Sequence, residues 1–187
     1  MTKNFTIKTT KAGFSKSSLL IGFVHKNVKP EGEAGQLFAK TGLNWKKLCD
    51  AGDFSGKTGQ VLDILTPPDL AASRFIIVGL GNIDLGKLHK SDASEKDQKP
   101  AKLSAKISDW ADLGGKLLAL IKKTSASEIA IIADELNEES MASMVAGMHL
   151  RNYDFDKYKS QKDDDEDDNA KPSNKNIAIT LHAKNKT

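Results

Sequence analysis

A chain of 187 residues is long enough for one domain with a real hydrophobic core. Its single cysteine, Cys49, excludes a disulfide framework, and no apolar run reaches membrane-spanning length. The net charge is +3, but 26 of the 28 basic residues are lysine, and only Arg74 and Arg151 carry the fork that reads bases; scattered lysine is a solubility feature before it is a nucleic-acid face.

The first residues, Met1–Phe5, hold no long apolar stretch and so no secretory signal, and the chain is read as cytoplasmic. Phe5 and Ile7 alternate with Thr6 and Lys8, the pattern of an edge strand. Ser18–Val24 is nearly all apolar and predicts a second, more buried strand. Lys29–Gly32 reads as a turn. Leu37, Phe38, Leu43, Trp45 and Leu48 then give a helical stripe broken at Gly42, which predicts one helix or two short ones. Gly56–Gly59 turns the chain into a strand over Gln60–Leu65, which Thr66-Pro67-Pro68 ends because proline cannot continue a ladder.

The stretch Arg74-Phe75-Ile76-Ile77-Val78-Gly79-Leu80-Gly81 predicts a central strand covered on both faces, antiparallel to the one before it. Residues 86–100 are polar without period and read as a loop. Leu103, Ile107, Trp110, Gly114, Leu117 and Ile121 share one helix face, with Lys122 and Lys123 in the last turn. Gly114-Gly115 in mid-helix suggests close approach of that helix to the sheet. Glu128–Ala133 predicts another central strand. Asn137 caps a helix whose inner stripe is Met141, Met144, Val145, Met148 and His149. Six acids, Asp163–Asp168, lack the glycine and terminal glutamate of a calcium loop and read as a solvated run. Lys175–His182 alternates and is the last strand. The order ββαββαβαβ predicts an α/β domain of three layers, a mixed sheet flanked by helices.

The chemistry is sparse. Gly79-x-Gly81 opens like a dinucleotide fingerprint, but Asp84 stands where the third glycine belongs, so the glycines are assigned to the turn. Gly56-Lys57-Thr58 is a fragment of a phosphate loop with Ala51 where the upstream glycine belongs. His25, His89, His149 and His182 are far apart, and the three methionines of the late helix are assigned to the core. No catalytic, cofactor-binding or metal-binding residue is assigned in this chain.

Several stretches in order resemble the N-terminal domain of the leucyl aminopeptidase family, also called cytosol aminopeptidases: Asp53-Phe54-Ser55-Gly56-Lys57-Thr58-Gly59-Gln60, then Arg74–Gly81, then Trp110-Ala111-Asp112-Leu113-Gly114-Gly115, and above all Val145–Lys159, which is similar to the family's Gly-x-x-Leu-Arg-x-Tyr-x-Phe-x-x-Tyr segment. The resemblance implies a macro-domain-like fold. It implies that residues 1–187 are the non-catalytic N-terminal domain of a cytosolic dimetal exopeptidase, with a C-terminal catalytic domain outside this chain. That domain would bind two divalent metals (manganese, zinc or magnesium) through a lysine and carboxylates in motifs such as Asn-Thr-Asp-Ala-Glu-Gly-Arg, which this sequence lacks. The partners implied are the chain's own catalytic domain, peptide substrate through it, and a homohexamer; some bacterial relatives bind DNA. Two other readings follow: a DNA-binding module, motivated by the lysine content, and an ADP-ribose or nucleotide binder, motivated by Gly79-Leu80-Gly81 and the fold.

Overall fold

The computed structural model describes residues 5–10, 17–81, 101–134, 136–153 and 176–183, with the side chains of 5 and 101–108 outside that description. The elements are β1 (Phe5–Thr10), β2 (Leu19–His25), α1 (Gly32–Lys40), α2 (Trp45–Ala51), β3 (Val61–Leu65), β4 (Arg74–Gly81), α3 (Ala101–Lys123), β5 (Glu128–Ile132), α4 (Glu138–Asn152) and β6 (Ile177–His182). Their order is the one the periodicity predicts. The expected loop at 86–100 and the acid run at 163–168 lie outside the described residues, as does His89.

The strands form one mixed sheet in the order β1-β6-β5-β2-β4-β3. All neighbours run parallel except β3 and β4, which pair antiparallel with Val61 opposite Val78 and Leu65 opposite Arg74. The short β3–β4 connection dictates that, because a parallel pair needs a longer crossover. β1 lies at one edge, as its polar alternation predicts, and β4 and β5 are interior.

Two cores flank the sheet, and strand residues alternate between them. Leu19, Ile21, Ile76, Val78, Ile129 and Ile131 face α3 and α4. Leu20, Phe75, Ile77, Ala130 and Ile132 face α1 and the segment around Trp45. This period-two division of continuous apolar runs is what a sheet covered on both sides requires. Burying a side chain of this size contributes about 1.5–3 kcal/mol, so these strands carry much of the fold's stability.

The helices start and stop for local reasons. Asn137 Oδ1 accepts from the Ser140 N–H at 2.8 Å and caps α4, and Asn44 caps α2 in the same way at 3.0 Å. The stripe breaks at Gly42, which sits at φ +64° between α1 and α2. Trp45 then stands edge-on between Phe38 and Phe54, with ring centroids 5.4 and 5.8 Å away.

Two expectations need correction. The double glycine of α3 approaches α4, not the sheet: a methyl on Gly114 would lie 2.0 Å from the Met144 carbonyl oxygen, and one on Gly147 would lie 1.9 Å from that of Ala111. Each helix thus presents a notch to the other's backbone. His149, placed on the inner stripe of α4 by spacing, is exposed, while Met144 and Met148 are fully buried. Gly147 sets the contact line one residue away from the His149 side.

Candidate functional site

In open α/β sheets ligands bind where the chain reverses its direction across the sheet, outside the carboxyl ends of the strands. Here the reversal falls between β2 and β5: the chain leaves β2 toward β4, then crosses back to β5 on the other side. Helix α1 follows β2 onto one face and α4 follows β5 onto the other. A crevice opens at that point, walled by Phe23, Ala34, Leu80, Ile132 and Leu136, with Glu31 and Asp134 as its polar groups. Its free volume is about 10 Å³, roughly the room that one water needs.

The amino end of α1 points at this crevice, and an open helix end attracts anions. Glu31, its cap residue, makes no side-chain bond to the helix. Asp134, just past β5, fills that role across 101 residues of sequence: the Glu33 N–H donates to Asp134 Oδ2 at 2.8 Å. A carboxylate of the protein's own therefore sits where a phosphate would be held.

Beside the crevice, the two weak glycine motifs of the sequence meet. Gly79 and Gly81 pack under the turn at Gly56-Lys57-Thr58. A methyl on Gly79 would lie 2.2 Å from the Lys57 carbonyl oxygen, and one on Gly81 would lie 2.2 Å from Thr58 Oγ1. The Gly81 N–H donates to the Gly56 carbonyl at 2.8 Å, and the Lys26 N–H donates to the Gly81 carbonyl at 2.9 Å. Gly56 (φ +72°) and Gly81 (φ +67°) adopt backbone angles that side chains disfavour. The glycines serve a close junction with the Gly56–Thr58 turn.

Gln60 organises that junction. Its Oε1 accepts from the Ser55 N–H at 3.0 Å, the Ser55 hydroxyl at 3.1 Å and the Lys57 N–H at 2.9 Å, while its Nε2 donates to the Asp53 carbonyl at 3.2 Å. The converging N–H groups of the turn already hold an oxygen, so the loop is closed on itself. Neither Gln60 nor Asp134 is singled out by local pattern. The only trace is that Gln60 ends the Asp53–Gln60 stretch and Asp134 follows a strand's carboxyl end.

The three described histidines stay apart. His25 ends β2, His149 lies exposed on α4, and His182 is buried at 5% exposure at the end of β6. Burial holds the His182 imidazole below its ordinary pKa. Burial, and then Asp50, pushes the Cys49 thiol up, away from thiolate chemistry. Among the described residues no group of three or more His, Cys, Asp or Glu is placed to hold a metal, so the metal pair that the resemblance implies finds no fit there and no reaction step is assigned to them. No described helix is long and apolar enough to cross a membrane.

A profile of the cytosol aminopeptidase family, N-terminal domain, matches residues 20–162. A probable cytosol aminopeptidase of Rhizobium etli (strain CIAT 652) is 30% identical over 183 residues, 97% of this chain and 32% of its own length. One of Rhodopseudomonas palustris (strain BisA53) is 33% identical over 141 residues, 73% of this chain and 23% of its own. The chain thus spans a third or less of these relatives. Among solved structures, a mutant tomato leucine aminopeptidase superposes with a TM-score of 0.55 at 16% identity, over 96% of this chain and 32% of its own. A mutant macrodomain of Oceanobacillus iheyensis superposes at 0.59 with 12% identity, over 98% of this chain and 86% of its own. At such identities these two establish the fold, which is macro-domain-like as expected.

Proposed function

The chain belongs to the cytosol aminopeptidase family, as its N-terminal domain, and we propose that it is the accessory, non-catalytic part of a cytoplasmic leucyl aminopeptidase. The observation that carries this is the match over residues 20–162, spanning β2 through α4 and therefore most of the sheet and all four described helices. Residues 1–187 form this domain. The activity of the longer protein is release of N-terminal residues from peptides by two divalent metals, manganese, zinc or magnesium, which activate water and polarise the scissile carbonyl. Those metals belong to a catalytic domain beyond this chain, which is its first partner; peptide reaches the protein only through that domain, and the whole assembles as a homohexamer.

The test is direct. The purified chain, incubated with manganese and a leucine anilide, is expected to give no turnover above buffer. Turnover that co-purifies with the chain would overturn the reading.

A second reading, binding of ADP-ribose or another nucleotide, draws on Gly79-Leu80-Gly81 and the macrodomain likeness. The narrow crevice and the α1 amino end already capped by Asp134 oppose it. Calorimetry with ADP-ribose is expected to show no heat. DNA binding is the other reading, resting on the lysine content and on the DNA role of some relatives, and an absence of duplex binding at low salt would remove it.

A further inference from the structure

The two edges of the sheet are built differently. β1 carries the usual guards, an exposed Lys8 among threonines. β3, Val61-Leu62-Asp63-Ile64-Leu65, contains neither lysine nor proline. Leu62 and Ile64 are buried at 7% and 6% exposure, but Val61 and Leu65 stand 41% and 64% exposed on the opposite face.

Ladder bonds at the two ends of β3 fix which residues turn their backbone outward. The Gly79 N–H donates to the Gln60 carbonyl at 2.8 Å, and the Thr66 N–H donates to the Ser73 carbonyl at 2.9 Å. In an antiparallel pair such residues alternate, so Gln60, Leu62, Ile64 and Thr66 face β4, while Val61, Asp63 and Leu65 face away. No described residue takes those outward N–H and C=O groups. The three residues whose backbone groups have no partner among the described residues are the same three with exposed side chains.

Asp63 is the one charge on this edge, and it is neutralised within the fold. Arg74 Nε donates to its two carboxylate oxygens at 2.8 and 3.0 Å. The strand also reads alike in both directions about Asp63: a buried aliphatic on each side, then an exposed one. An interface between identical copies needs this self-complementarity.

We propose that β3 is a pairing edge for a second copy of this chain, joined antiparallel about a two-fold axis through Asp63, so that Val61 lies opposite Leu65 of the other copy and one sheet runs through both. In that register every outward N–H and C=O of Val61, Asp63 and Leu65 finds a partner. Each Asp63 arrives with its own Arg74, so the axis gathers two ion pairs and no net charge. Thr66-Pro67-Pro68 ends the strand and keeps the contact to five residues a side. That is less than the ~1,200 Å² that stable complexes bury, so the dimer is weak and forms at roughly 0.1–1 mM.

Sedimentation of the chain across that range is expected to show monomer passing into dimer. Leu65→Lys, a change on an exposed position, is expected to weaken association about tenfold or more without altering the fold, because it sets a charge on the edge. Register is tested in a Cys49→Ser background. A mixture of Val61→Cys chains with Leu65→Cys chains is expected to form the mixed disulfide, while each alone does not cross-link, since opposed positions alone come within disulfide reach. Three results would overturn the proposal: monomer throughout the range, a dimer indifferent to Leu65→Lys, or cross-linking as strong within either single variant as in the mixture.

Discussion

Replacing Gly114 and Gly115 in turn by alanine should move stability in opposite directions. At Gly114 the added methyl would meet the Met144 carbonyl oxygen at 2.0 Å and its carbon at 2.8 Å, where real contacts do not fall below 3.0 Å. The obstruction is backbone on a packed helix, so no side chain can rotate away, and the helices must part by roughly 1 Å, which a close-packed interior resists. Overpacking of this kind costs about 1–3 kcal/mol, and the rigid partner puts Gly114 at the upper end. Helix propensity returns about 1 kcal/mol for alanine over glycine. The net loss is about 2 kcal/mol, a Tm drop of roughly 4–8 °C in a domain of this size. At Gly115 the nearest atoms are the Gly147 oxygen at 3.7 Å and Arg151 Cβ at 3.8 Å, ordinary contacts. There only the propensity term acts, and Gly115→Ala should stabilise by up to ~1 kcal/mol. Urea unfolding followed by circular dichroism reads both. A Gly114→Ala protein as stable as the parent, or the same sign at both positions, would refute the notched packing of α3 on α4.

Two further outcomes follow from groups at the carboxyl edge. Gln60→Ala removes the acceptor shared by two N–H groups and a hydroxyl of the Asp53–Gln60 loop; a loss of about 1–3 kcal/mol is expected, together with faster amide exchange at Ser55 and Lys57, and unchanged exchange there would sink the assignment. His182 is held below its ordinary pKa by burial, so between its folded pKa and the unfolded value near 6.5 the unfolded chain binds more protons. Its contribution is fully present above that unfolded value and is lost as pH falls below it. Melts from pH 8 to 5.5 should show a decline that His182→Gln flattens, and an equal decline in both proteins would place its cause elsewhere.

What is legible in the sequence alone is local. Four apolar residues in a row at Phe75–Val78 need cover on both faces, and the structure gives them two cores. A short link through Thr66-Pro67-Pro68 allows only an antiparallel pair, and β3 and β4 are one. Asn137 is a good cap by chemistry and caps α4. What could not be read is which distant group a residue meets. Gly79 and Gly81 look alike whether they cradle a phosphate or the backbone of a turn 22 residues upstream. Gly114 and Gly115 are indistinguishable in sequence, yet one is wedged and the other open. The Asp134 carboxylate on α1 is set by the fold's crossover alone. His149 failed for a related reason: helical spacing fixes a stripe only to within one residue, and the glycine notch decided its centre.

The pairing of β1 with β6 carries a consequence for how the protein is made. Phe5 aligns with Ile177 and Thr10 with His182, so among the described strands the one made earliest pairs only with the one made latest. At about 5–20 residues per second, a nascent β1 waits on the order of 10–30 s on the ribosome before that partner exists. Meanwhile β2, β3, β4 and β5 can already associate, since each finds a neighbour among them. The lysine and threonines of β1 guard that waiting edge against pairing with other chains, and docking of β1 on β6 becomes the last step in closing this sheet.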